Sequence, residues 1–245
     1  MTQRLFLFLL ISLSVLGRAA GEVDPKAVLA GADAARGNMD GVHWQVEVME
    51  AGDEGSRRLL SVQAMGFDMV ADTLEPPKQK GHKLLLLQNN MWFYKPGLSK
   101  PVPVSLRQKL TGRASNGDIA STNYAEDYEI LSFKSTEYDG QPCYLFKLQA
   151  VSRNVTYARV DYWVEQSRGV GVRADYFNTS GEKRIKTARM RYDNTVQSGA
   201  GPRVFISEMV IVDELASDGR TILQFSEPEL KPVSPRMFNL QALGR

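Results

Sequence analysis

The sequence predicts a mainly β protein with a single antiparallel, strongly curved sheet and short helices covering one face. Three observations carry this. Nearly every run after residue 38 alternates apolar and polar residues with period two, the pattern of half-buried strands. Asn89-Asn90, Asp139-Gly140 and Asp218-Gly219 sit between such runs, and these pairs tolerate the positive φ that tight hairpins need. The longest interruption, Gly97 to Asp127, carries prolines and short helical patterns, and a stretch of that length inside a meander covers the sheet or serves a function.

The elements follow in order. Arg4 precedes an apolar run, Leu5 to Leu16, and then the small residues Gly17, Ala19, Ala20 and Gly21. This is the pattern of a secretory signal peptide, cleaved after Ala19 or Gly21. The run is too short to span a bilayer, which takes about 20 residues. The chain therefore divides into a signal peptide, 1–21, and one exported domain, 22–245. Asp24-Pro25 opens a helix, since Asp accepts from free N–H groups and Pro suits the first turn. Val28, Leu29, Ala32 and Ala35 give it one modest apolar face, and Gly37-Asn38 ends it. Val42, Trp44, Val46 and Val48 then alternate with His43, Gln45, Glu47 and Met49. Further strands run over 60–71, 83–88, 91–95, 129–138, 141–150, 158–165, 170–178, 183–196, 204–214 and 220–226. That makes about ten strands, with a wet face marked by Arg173, Asp175, Lys186 and Arg189. The tail, Pro235 to Leu243, is expected to pack Met237, Phe238 and Leu240 against the sheet edge.

Composition excludes several classes. Thirty basic and 28 acidic residues leave a net charge of +2, too weak a field to select nucleic acid. One cysteine, Cys143, rules out an internal disulfide and a cysteine-rich metal site. No nucleophile elbow, metalloprotease motif, P-loop or dinucleotide fingerprint occurs. His43 and His82 lie on separate strands with no second ligand at metal spacing. Asp72, Glu75, Glu126, Asp127 and Glu129 form no singled-out acid pair and read as solvated loop charge. The expectation is a protein without enzymatic chemistry, cofactor or metal. Met91-Trp92-Phe93-Tyr94 places large rings on both faces of one strand, which fits either core packing or a ligand groove.

The run NMWFYKPGLSKPVPVS (Asn90 to Ser105) resembles the outer-membrane lipoprotein-sorting protein family, relatives of the periplasmic carrier LolA. PPKQKGHKLLLL (Pro76 to Leu87), GDIASTNYAEDYE (Gly117 to Glu129) and FISEMVI (Phe205 to Ile211) extend the resemblance over residues 22–245. It implies an unclosed β-barrel of the LolA/LolB type with a helical lid. It also implies a periplasmic, monomeric carrier that passes the acyl chains of lipoproteins, or other lipids such as phospholipid, toward the outer membrane. The implied partners are a lipoprotein-release complex or an inner-membrane exporter of the resistance-nodulation-division class. A non-catalytic accessory or scaffold subunit of such an exporter is the alternative. On this reading Trp44, Val46, Phe67, Met69, Leu85, Leu87, Trp92 and Tyr94 line the lipid cavity. Val28, Leu29 and Ala32 form the lid helix, with 97–127 as a second lid. The carriers latch their lid with an arginine early in the barrel; Arg57, Arg58 and Lys78 lie in that region, none within a matching local motif.

Overall fold

The computed structural model describes residues 23–199, 201–214, 219–241 and 243, so the expected signal peptide lies outside the described residues. The first helix, α1 (Pro25–Ala35), starts where Lys26 N–H donates to Asp24 Oδ1 at 2.9 Å. It ends before Gly37, whose φ of +99° is open to glycine at no steric cost.

Six strands then run as a meander: β1 (Met39–Glu50), β2 (Asp53–Gly66), β3 (Asp68–Glu75), β4 (Lys83–Leu87), β5 (Asn90–Tyr94) and β6 (Val102–Val104). The segment that follows holds a small hairpin, β7 (Lys109–Thr111) and β8 (Ala114–Ser115), a 3-10 turn at Asn116–Ile119, and α2 (Tyr124–Asp127). A second meander comprises β9 (Tyr128–Tyr138), β10 (Gln141–Ala150), β11 (Arg159–Glu165), β12 (Val170–Phe177) and β13 (Arg184–Arg191). The chain leaves the sheet for the hairpin of β14 (Asn194–Ser198) and β15 (Gly201–Phe205). It returns as β16 (Glu208–Asp213) and β17 (Arg220–Leu230).

Thirteen strands form one antiparallel sheet in the order β6-β5-β4-β3-β2-β1-β17-β16-β13-β12-β11-β10-β9. β17 joins the two meanders by pairing β1 on one side and β16 on the other. Register shifts interrupt β1, β2, β10, β11 and β12, and each bulge adds local twist that curls the sheet. The sheet is not closed: β6 and β9 are its two edges and do not pair. The expected curved, unclosed barrel is thus observed, with more strands than the hairpin signals give. The expected strands 183–196 and 204–214 are each broken, at 192–193 and 206–207. The breaks release the β14–β15 hairpin to pack inside. Asn194 Nδ2 ties it to β17 by donating to the Phe225 carbonyl at 2.7 Å, and Ile206 N–H ties it to α1 through the Ala35 carbonyl at 3.0 Å.

The concave face is the core. Val42, Trp44, Val46 and Val48 of β1, Val160, Tyr162 and Val164 of β11, and Ala174 and Tyr176 of β12 are all buried there. The convex face carries ion pairs: Asp175 holds Arg173 at 2.9 Å and Arg184 at 3.0 Å. Cys143 is a buried free thiol in β10.

Gly171 fixes one close approach in this core. A Cβ there would land on the Tyr162 phenol. Gly171→Ala is expected to cost about 1–3 kcal/mol through overpacking. Urea unfolding should show that cost in the native background and lose it in Tyr162→Ala, because the added methyl then has room.

Candidate functional site

Two covers close the concave face. The first is α1, which buries Leu29, Ala32 and Ala35 against β11, β12 and β15, with Val28 partly buried beside them. The second is the 105–127 segment, which buries Leu106, Leu110, Ile119 and Tyr124. Apolar contact alone does not join them. Asp33 of α1 accepts from Ala125 N–H of α2 at 2.9 Å, and Asn38 Nδ2 donates to the Thr122 carbonyl at 2.9 Å.

Beneath the covers lies a polar group enclosed by tyrosines. Arg36, at the end of α1, is 4 % exposed and reaches inward. Its Nη1 lies 3.3 Å from Met190 Sδ and 3.2 Å from Met209 Sδ, and its Nη2 donates to the Asp118 carbonyl at 3.5 Å. Among the described residues its Nε has no hydrogen-bond partner. Asp118 is also buried; Ser115 N–H donates to it at 2.7 Å and Tyr157 Oη at 3.0 Å. Lys186 Nζ donates to the Arg113 carbonyl at 2.6 Å and contacts Ser115 Oγ at 3.0 Å and Tyr157 Oη at 3.4 Å. Tyr157 stacks on Tyr176 at 3.8 Å, and Tyr124 meets Tyr162 edge-on at 5.0 Å. Burial pushes Asp118 and these tyrosines above their ordinary values. With its three donors engaged, Lys186 reads as a tie in a network.

Little room remains. The space lined by Arg36, Phe67, Asp118, Tyr124, Tyr157 and Tyr176 is about 40 Å³, enough for a few waters and far below a site for a drug-sized ligand.

The eight residues expected to line one cavity divide between the two faces. Trp44, Val46 and Met69 are buried on the concave face, with Phe67 packed against them. Leu85, Leu87, Trp92 and Tyr94 point the other way, where Val233, Phe238 and Leu243 of the tail cover them. The register explains this division: Met69 pairs Leu86, not Leu85, and Leu84 and Phe93 pair on the concave side. The tail accordingly lies over a face of β3–β5, not an edge. Leu29 and Ala32 of the expected lid helix are fully buried, so α1 is seated in the barrel. Of the basic residues near the expected latch, Arg57 is held outside by Glu47 at 2.6 Å and by Glu75. The buried arginine is Arg36, whose only sequence signal is its place before Gly37-Asn38. Three of the five acids are used in ion pairs: Asp72 with Lys83, Glu75 with Arg57 and Glu126 with Lys26. Among the described residues no group of His, Cys, Asp and Glu is placed to hold a metal ion.

A curled, unclosed antiparallel sheet plugged by two covers defines a carrier-like fold, and the comparisons agree. A family model described as "Uncharacterized protein" matches residues 68–245. The LolA superfamily protein of Nitrosomonas europaea is 27 % identical, with a TM-score of 0.76 over 89 % of this chain and 98 % of that one. A candidate outer membrane lipoprotein-sorting protein domain from Vibrio parahaemolyticus shares the fold at 16 % identity, with a TM-score of 0.73 over 90 % of this chain and 98 % of that one. So does a DUF1329 family protein from Desulfovibrio piger, at 19 % identity and a TM-score of 0.70, over 89 % and 97 % of the two chains. No curated protein matches. The chain belongs to the family of uncharacterised proteins whose model covers residues 68–245, within the LolA-like lipoprotein-sorting superfamily.

Burial pushes the Asp33 carboxyl up to about 6, against the pull of the Ala125 N–H and Arg36. The unfolded value is about 3.9. Between these pH values the folded chain holds a proton that the unfolded chain has released, so stability falls as pH rises through that window. Asp33→Asn should remove this fall. Its melting temperature relative to wild type should climb from pH 4 to pH 6.5, by the equivalent of about 2 kcal/mol. A constant difference across that range would show that Asp33 titrates normally.

Proposed function

We propose that this chain is exported as residues 22–245 and works in the periplasm as a carrier. It takes acyl chains of lipoproteins, or of other lipids, between its covers and the concave face, without enzymatic chemistry. One observation carries the reading. The apolar concave face is covered by two segments outside the main sheet, and polar contacts such as Asp33–Ala125 and Asn38–Thr122 join them to each other. The two ends of the sheet are bridged in the same manner, by the loop between β10 and β11. Asn154 of the 151–158 loop contacts Asn90 at 3.3 Å, and Arg107 donates to the Val155 carbonyl at 3.0 Å. Water can replace such bonds when the covers lift, whereas interlocked apolar side chains would have to be exposed. The superfamily membership and the lipoprotein-sorting description of the Vibrio neighbour support the same reading. Burying each acyl CH₂ contributes about 0.8 kcal/mol, so a single chain repays a substantial opening cost. The proposed inner-membrane partner is a lipoprotein-release complex or an exporter of the resistance-nodulation-division class.

The test is native mass spectrometry with lipid extraction on protein purified from the periplasm. Co-purifying acylated protein or phospholipid is expected. Val28→Ser and Leu29→Ser should lose it faster, because they weaken the seat of α1. If the protein carries no lipid and takes up none when it is added, and the two variants only lower the melting temperature, the interior is a filled core. The chain is then a scaffold subunit.

A further inference from the structure

A second opening of the barrel lies away from Arg36, at the β2–β5 end. There Arg58, His82 and Lys109 border a cavity of about 250 Å³ with an apolar floor of Leu60, Leu84 and Phe93. Lys83 also borders it, and no Asp or Glu does. The sequence puts the charge there by simple alternation. Arg58 is two residues before Leu60 on β2 and so shares its concave side, while Arg57 faces out to Glu47 and Glu75. Arg58 is half-buried and makes no ion pair among the described residues. Burial alone disfavours its charge. The imidazole of His82 stands edge-on to Phe93 at 5.4 Å. Burial first, then Lys95 and Arg58, hold it below its usual range. Lys83 is tied to Asp72 at 3.5 Å, but exposed Lys109 has no ion pair among the described residues.

A half-buried guanidinium facing an apolar floor, next to further cations and no acid, is an uncompensated site. Charged groups leave water at a large cost unless an opposite charge meets them. The floor is continuous with the concave core, because Leu60 and Leu84 pack in the same cluster as Trp44, Val46 and Met69.

We propose that this opening holds the anionic head of the lipid, with Arg58 as its principal partner and the acyl chain running inward over Leu60 and Leu84. The inference rests on the carrier reading and adds to it a ligand class: a lipid with a phosphate-type head. A guanidinium offers paired donors to such a head, and Lys109 adds a point charge at the rim.

The test compares two probes that differ only at the head, oleoyl lysophosphatidic acid and mono-oleoylglycerol, with inorganic phosphate as a third. Binding to the purified protein is followed by isothermal titration. Wild type should take the phosphate-headed lipid about tenfold more tightly than the glycerol-headed one, as a charge-assisted hydrogen bond permits. Arg58→Gln should remove that preference. Arg58→Lys should retain most of the preference, and Lys109→Gln, at an exposed position, should reduce it with no effect on folding. Equal affinity of wild type for both lipids overturns the head site and leaves the carrier reading standing. Binding of neither lipid overturns both. Inorganic phosphate that binds as tightly as the lysolipid also overturns the inference, because the apolar floor would then contribute nothing.

Discussion

The covered, unclosed barrel depends on how it accommodates the guanidinium of Arg36. A buried charge costs several kcal/mol unless it is paired and hydrogen-bonded. Arg36 has no carboxylate in direct contact. It has two methionine sulfurs, a long contact to the Asp118 carbonyl and the face of Phe225 at 6.0 Å, with Asp33 and Asp118 acting through space. Sulfur and aromatic faces are soft, partial substitutes for water. The positions of both covers follow. α1 supplies the arginine and the 3-10 turn at Asn116–Ile119 supplies the carbonyl, so each cover is placed by the other. The tyrosines around them orient rings and hydroxyls about a charge, which a purely apolar plug would not require.

Much of this fold is legible in the sequence, for reasons that also show where legibility ends. The β9–β10 turn can be read because Asp139 and Gly140 both take positive φ, at 52° and 74°, and their types announce it. The β4–β5 turn lies one residue before the Asn pair, at Gln88-Asn89, where Gln88 takes a φ of 51° that its type does not advertise. The faces of β4 and β5 are a harder case. Leu84 to Leu87 and Met91 to Tyr94 are apolar at every position, so period two leaves no mark, and a one-residue slip exchanges the faces. The sheet resolves the ambiguity only through a distant partner, the tail with Val233, Phe238 and Leu243. Arg36 is missed for a related reason. A basic residue at a helix C-terminus ordinarily complements the helix dipole in solvent, and nothing local shows that the chain turns it inward.

The same two-sided covering explains why the sheet needs no closing hydrogen bonds. An open sheet normally risks pairing with another chain at its edges. Here β6 is three residues long and contains Pro103, which cannot donate, while β9 carries a bulge and charged side chains. The loop between β10 and β11 spans the gap near these edges, through one bond from Asn154 to Asn90 and two from Arg107. The halves are therefore joined strongly at one place, the long pairing of β1 with β17 opposite the gap.

That asymmetry bears on how such a barrel can bind and release a chain of many CH₂ groups. At about 0.8 kcal/mol each, a full acyl chain held in a rigid, preformed cavity would be retained too firmly for transfer. On the proposed carrier reading the covers would have to lift, and closing would regain the contacts of Arg36, Asp33 and Asn38. The empty state would then be stabilised by bonds that a loaded state gives up, and net affinity would be the difference between two large terms. In a carrier built this way, polar residues under the covers set affinity as much as the apolar lining does. In such a carrier acyl lengths would be discriminated by how far the covers must lift, more than by the shape of a pocket.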